Sequence, residues 1–280
     1  MTTVASAPVE VLELDREQAI ADEERRFRQR TRRYRTLVIS CRIGVVVIAL
    51  AAWQLLSGSV IDDFWISSPR DIAERLKTWL TDGTLADNTW ATVQAMIIGF
   101  TIGSTAGVVI GFVLGRVKFL ADVFYPYVIA VNSLPKLALA PLFILWFGIG
   151  LEGKVVMTSM VCFFLVFYNT FAGARDTDAE LLGVMAVMGA SRRARLFKLI
   201  LPSTATWIFA GLRLAVPYSL VGAVVSEITA SSEGLGHLLK TSANTFDTAG
   251  TFAVLAVLIT IALIINIVVS RAESMTSRWK

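Results

Sequence analysis

The stretch GASRRARLFKLILPS, Gly189 to Ser203, carries a four-cation patch in a chain whose other long stretches are mostly apolar. Arg192, Arg193, Arg195 and Lys198 place four cations within two helical turns, and Leu196, Phe197, Leu199 and Ile200 form an apolar arc beside them. Gly189 and the small Ala190 permit a tight bend and close backbone approach, while Ser191 is suited to cap a helix that is expected to stop before Pro202. The preceding AELLGVMAV predicts a second short helix, so the unit reads as a helix-turn-helix. Two readings fit these residues. One is a connector whose cations meet anionic lipid. The other is a docking element, in which the arc fills a cleft on a partner and rigid guanidinium charges orient it.

The other charges of interest lie inside apolar stretches, where an ionisable side chain costs at least ~2.5 kcal/mol on insertion scales and tends to face a cavity or a partner. Lys136 follows Pro135, and Arg213 lies ten residues beyond Ser203, so both fall near the middle of their spans. At 1.5 Å per residue their depths differ by roughly 6 Å. They either line a positive pathway suited to an anionic solute, or bind helix-end carbonyls and polar neighbours such as Asn132 and Ser133. Glu227, near the outer end of its span, either joins that pathway or reaches water. Arg42 is close enough to the end of the first span to snorkel to the surface. Cys41 and Cys162 lack a second ligand or a CxxC spacing and read as packing residues. His237 stands alone and reads as a loop residue, so no metal site is expected. GLGHLLKTS resembles a phosphate loop, but GxxxxGK[ST] begun at Gly234 meets Leu239 where glycine is required. No Walker motif is present.

These residues are carried by a membrane-type sequence. The 280 residues are 55% hydrophobic and only 17% charged, with a mean hydropathy of +0.65, whereas soluble domains carry about a quarter charged residues. Six segments reach the roughly 20 apolar residues needed to cross a bilayer: about 37–56, 88–115, 122–147, 154–174, 203–229 and 250–270. Pro135 and Pro141 interrupt the third and Pro217 the fifth. Residues 1–36 form a charged cytoplasmic segment without the features of a secretory signal, and 37–280 a transmembrane domain whose loop at about 176–202 contains the cationic stretch. The segment 57–87 reads as an outer loop with a short amphipathic helix near PRDIAERLKTWL. With the N-terminus inside, the inner segments hold eighteen Lys and Arg and the outer ones five, which places both termini in the cytoplasm. In the second span, Gly99, Gly103, Gly107, Gly111 and Gly115 recur every four residues, a stripe that allows a neighbouring helix to approach closely. A net charge of +4 is explained by this topology rather than by nucleic-acid binding.

The cationic stretch resembles the "EAA" loop of binding-protein-dependent ABC importer permeases: Gly189 and Leu201-Pro202 keep the family's thirteen-residue separation. The flanks NSLPKLALAPLFILWFGIGLEGK and AGLRLAVPYSLVGAVVSEITASSEGLGHLL resemble the nitrate, sulfonate and taurine permease group, and the similarity covers about residues 88–270. Gly183-Val184-Met185 stand where the family has Glu-Ala-Ala, and Glu180, three residues earlier, is the candidate substitute for the missing carboxylate.

The resemblance implies an all-α type I importer permease of about six spans in the bacterial inner membrane. It implies a homodimer, two ATPase subunits that carry ATP and magnesium, and an extracytoplasmic solute-binding protein. The cargo it implies is a small anion such as a sulfonate, taurine, nitrate or small carboxylate, with a neutral or cationic pyrimidine-type compound as the alternative. Glu180, Gly189, Ala190, Ser191, Arg192, Arg193, Arg195, Phe197 and Pro202 become the expected ATPase-coupling residues. Asn132, Ser133, Lys136, Arg213 and Glu227 are the expected pathway. An ion-coupled secondary carrier is the rival, and the scarcity of membrane carboxylates weighs against it.

Overall fold

The computed structural model describes residues 34, 36–58, 62, 64–229 and 231–276, so the charged N-terminal segment lies outside the described residues apart from Tyr34 and Thr36. The chain divides into two units, Met1–Asp62 and Asp63–Lys280. In the first, helix α1 (Thr36–Leu56) is long and apolar enough to cross a membrane. Cys41 and Arg42 are exposed on it.

The second unit begins with the expected amphipathic helix, α2 (Pro69–Thr81). Ser68 starts it by accepting the Asp71 N–H, and proline occupies the first turn, where its missing N–H costs nothing. Ile72 and Trp79 form its buried edge. Next come α3 (Thr84–Arg116), α4 (Lys118–Asn132), a 3-10 turn (Lys136–Leu139), α5 (Ala140–Phe147) and α6 (Leu151–Arg175). The cationic segment supplies α7 (Ala179–Val187) and α8 (Arg192–Arg195), which continues through a π turn (Leu196–Ile200) into α9 (Leu201–Thr229). Helices α10 (Leu235–Asn244) and α11 (Thr248–Thr276) complete the unit.

Five helices among the described residues are long and apolar enough to span a membrane, rather than six. The expected third span, 122–147, is not one helix. Pro135 and Pro141 cannot donate to the helical ladder, and the chain instead closes α4 with Ser133 and Leu134 bonds to Ile129 and Val131, turns, and restarts. Pro126 and Pro217, by contrast, are carried inside helices α4 and α9.

The core is the contact of α3, α6 and α9. The glycine stripe of α3 faces α6: a Cβ built on Gly107 would lie 2.8 Å from the Phe163 carbonyl oxygen, and one on Gly111 2.8 Å from that of Phe167. Gly99, Gly103 and Gly115 meet Thr158, Ser159 and Ala174 in the same way. With little hydrophobic drive between helices in lipid, such close backbone approach supplies the dispersion contacts. On α6, Phe163, Phe167 and Phe171 stack with successive centroids 5.6 and 5.7 Å apart, and Cys162, Val166 and Phe167 are fully buried.

The expectation that a helix stops before Pro202 is overturned: Arg192–Thr229 is one continuous 38-residue helix. The Leu201 N–H reaches back five residues to the Leu196 carbonyl, and this widened turn relieves the clash that a proline ring otherwise has with the preceding turn.

Candidate functional site

Local hydrogen bonding explains the two-helix segment at 178–200. The Asp178 carboxylate accepts the N–H groups of Glu180 and Leu181 at 2.8 and 3.2 Å and starts α7. Gly189, at φ +77°, ends it. Its N–H bonds to the Ala186 carbonyl and that of Ala190 to Met185, at 3.0 and 2.9 Å, which is the Schellman arrangement that favours glycine at this position. Ser191 Oγ then accepts the Ala194 N–H at 3.2 Å and starts α8. Two caps and a left-handed glycine therefore define the corner by local hydrogen bonds.

The surface of this corner differs from the arc read in the sequence. Phe197 is 65% exposed, but Ile200 is buried, and Leu196 and Leu199 are half-buried. The exposed apolar surface comes instead from Val187 and Met188, 91% and 79% exposed, at the tip of α7. Glu180, Arg192, Arg193, Lys198 and Pro202 are exposed with it, while Ala190 and Arg195 are half-buried. Val187 and Met188 carried no sequence signal beyond the apolarity of a short helix.

The break between α4 and α5 opens a second site. A cavity of about 480 Å³ is lined by Asn132, Pro135, Lys136, Phe164, Tyr168, Asn169 and Tyr218, together with aliphatic residues. Lys136 Nζ donates to the Asn132 carbonyl and Oδ1 at 3.1 and 2.7 Å and sits 4.8 Å above the Phe164 ring. Its ammonium thus terminates α4 and faces the cavity together. Of the five expected pathway residues, only Asn132 and Lys136 come together here. Ser133 is exposed and bonds back to the Ile129 carbonyl, and Arg213 is exposed on α9 outside the lining. The aromatic and amide residues Phe164, Tyr168, Asn169 and Tyr218 were missed, because on apolar helices they read as ordinary core.

Glu227 requires a correction. It neither reaches water nor lines the cavity: it is 0% exposed, and Lys154, 2% exposed, places Nζ 3.7 Å from its carboxylate. Thr92 Oγ lies 3.0 and 2.9 Å from the two carboxylate oxygens, and the Gly236 N–H donates at 2.9 Å. Lys154 also donates to the Glu233 carbonyl at 2.9 Å. This buried ionic cluster ties the segment before α10 to α3, α6 and α9. A Cβ on Gly234 would strike the Glu227 carboxylate, which accounts for glycine at that point. His237 belongs to α10 rather than a loop, 3.4 Å from Thr241 Oγ. Among the described residues no cluster of side chains has the makings of a metal site.

Residues 103–278 match the family described as binding-protein-dependent transport system inner membrane component. The chain is 34% identical to the riboflavin transport system permease protein RibX of Chloroflexus aurantiacus, over 84% of this chain and 88% of that one. It is 27% identical to the formylaminopyrimidine transport permease protein ThiX of Halalkalibacterium halodurans, over 84% and 93%. It is 28% identical to the putative aliphatic sulfonates transport permease protein SsuC of Bacillus subtilis, over 83% and 85%. The fold matches the solved structure of an amino acid ABC transporter with a TM-score of 0.59, at 17% identity over 71% of this chain and 97% of that one. The chain therefore belongs to the binding-protein-dependent transport system inner membrane components: it is a permease subunit of an ABC importer, with ATP hydrolysis on a separate subunit and a binding protein as a further partner.

Proposed function

We propose that the chain works as a homodimer in the bacterial inner membrane, with both termini cytoplasmic. In this reading the Val187–Met188 tip, Phe197, Arg193 and Lys198 of the Gly189 corner dock into the ATPase subunits. ATP, with magnesium, closes two ATPase subunits, the docked corners move together, and the spans tilt from inward-open to outward-open. The continuity of α8 with α9 supports the idea, because a helix running unbroken from Arg192 to Thr229 transmits a push at its start as rigid-body tilt. Glu180 takes the place of the missing Glu of the family motif.

For the cargo, the lining of the cavity favours a small planar nitrogen heterocycle of the pyrimidine or flavin kind. Phe164, Tyr168 and Tyr218 offer faces for a ring, and Asn132, Asn169 and Lys136 offer hydrogen bonds to its edge. This is the observation that carries the reading, and the relatives named for riboflavin and formylaminopyrimidine agree with it. A sulfonate-type anion is the second reading. Its support is that Lys136 faces a cavity with no acidic residue in its lining.

The test is to isolate the binding protein that delivers to this permease, identify its bound solute by mass spectrometry, and measure uptake of that solute into proteoliposomes. A heterocycle that competes with uptake, with no competition from alkyl sulfonates, supports the first reading. The reverse pattern establishes the second.

A further inference from the structure

The cations of the Gly189 corner do not all face the same way. Arg192 and Arg195 join Arg116, from the end of α3, around a groove of about 530 Å³ whose remaining lining is Phe112, Val113, Val117, Leu182, Leu196 and Ile200. Three guanidinium groups and no carboxylate line it. Arg116 spends one N–H on the Ala174 carbonyl at 3.1 Å. Arg195 Nε is buried without a hydrogen-bond partner, and among the described residues none of the three arginines forms an ion pair. Like charges so gathered repel one another, and a buried unsatisfied guanidinium N–H is costly, so the groove is suited to an anion.

We propose that this groove seats the phosphate headgroup of an anionic phospholipid. The choice of a lipid over a soluble anion rests on the wall: Val113 and Val117 are 41% and 43% exposed at the end of a membrane-spanning helix, where acyl chains run alongside them. Guanidinium forks match phosphate oxygens bidentately, and basic pockets between spans are known to take lipid headgroups. The lipid would neutralise the inner side of the corner and brace the start of α8 against α3. Arg193, Lys198 and the Val187–Met188 tip remain free for the ATPase, so the proposal requires that docking use these residues and leave the groove open.

The test uses the permease–ATPase complex in nanodiscs of phosphatidylcholine, with and without phosphatidylglycerol, read by native mass spectrometry after release. Retained phosphatidylglycerol and a higher thermal midpoint in its presence are expected. Arg116→Gln and Arg195→Gln should each lower its apparent affinity about tenfold, while Arg193→Gln, outside the groove, leaves retention unchanged. Val113→Trp keeps every charge but obstructs the acyl wall, and should also release the lipid if an arginine variant fails to fold. Equal retention in wild type and the arginine and Val113 variants overturns the proposal. So does protection by inorganic phosphate as strong as that by phosphatidylglycerol, which would mark a soluble-anion site. Lipid held by the permease alone but absent from its complex with the ATPase would assign the groove to the ATPase and overturn the proposal as well.

Discussion

Lys154→Met would leave the Glu227 carboxylate at 0% exposure with no opposite charge within the cluster. Breaking a buried ion pair from one side in this way costs about 3–5 kcal/mol. Glu227→Gln should cost less, about 1–3 kcal/mol. The amide can still meet Thr92 and the Gly236 N–H, and Lys154 keeps the Glu233 carbonyl at 2.9 Å and its carboxylate at 3.7 Å. The double variant buries no charge from either partner, so its loss should stay near that of Glu227→Gln, with a coupling of about 3–5 kcal/mol between the sites, equal to the loss from Lys154→Met alone. Denaturant unfolding of the detergent-solubilised protein, followed by tryptophan fluorescence, measures all three. A Lys154→Met variant no less stable than Glu227→Gln, or strictly additive losses in the double variant, would refute the ion-pair account and leave hydrogen bonds alone to hold α10.

Gly107→Leu should destabilise the membrane domain by at least ~1–3 kcal/mol, since its Cβ already falls 2.8 Å from the Phe163 carbonyl oxygen; an unchanged melting temperature in detergent would contradict the α3–α6 packing. Lys136→Met should reduce uptake while assembly with the ATPase persists, whereas Arg213→Gln, outside the cavity, should transport near the original rate; equal losses in uptake assays would remove the cavity as the pathway. Gly189→Val should cost about 1–2 kcal/mol of local strain, because the position has open space but a left-handed backbone; unaltered ATPase co-purification would show that the corner tolerates the change.

Much of this was legible in the residues. Period-four glycines allow close approach of a neighbouring helix, as the packing of α3 on α6 bears out, and Asp178, Gly189 and Ser191 are local capping residues. Pro202 misled because a proline's effect depends on the turn before it, and the π turn at Leu196–Ile200 is a backbone adjustment with no sequence signature. Charge placement was the least legible. Lys136 and Arg213 look alike in linear depth, but the break after Asn132 turns one into a cavity while the other lies outside it. Glu227 found its partner 73 residues away in Lys154, a pairing that only the packing of α6 on α9 creates. The aromatic lining shows the same limit: nothing in the spacing of Phe164, Tyr168 and Tyr218 separates a cavity wall from core.

In the proposed mechanism, coupling of ATP hydrolysis on a partner subunit to solute movement through this chain runs by way of the Gly189 corner. It is tested most directly by uptake into proteoliposomes containing the chain with its ATPase and binding protein, comparing wild type with a variant in which Arg193→Glu and Lys198→Glu are combined. The account predicts ATP-dependent uptake by wild type, and loss of both uptake and solute-stimulated ATP hydrolysis in the variant, with membrane insertion unchanged. Uptake by the chain alone under an imposed ion gradient, or undiminished ATP-driven uptake by the variant, would contradict it.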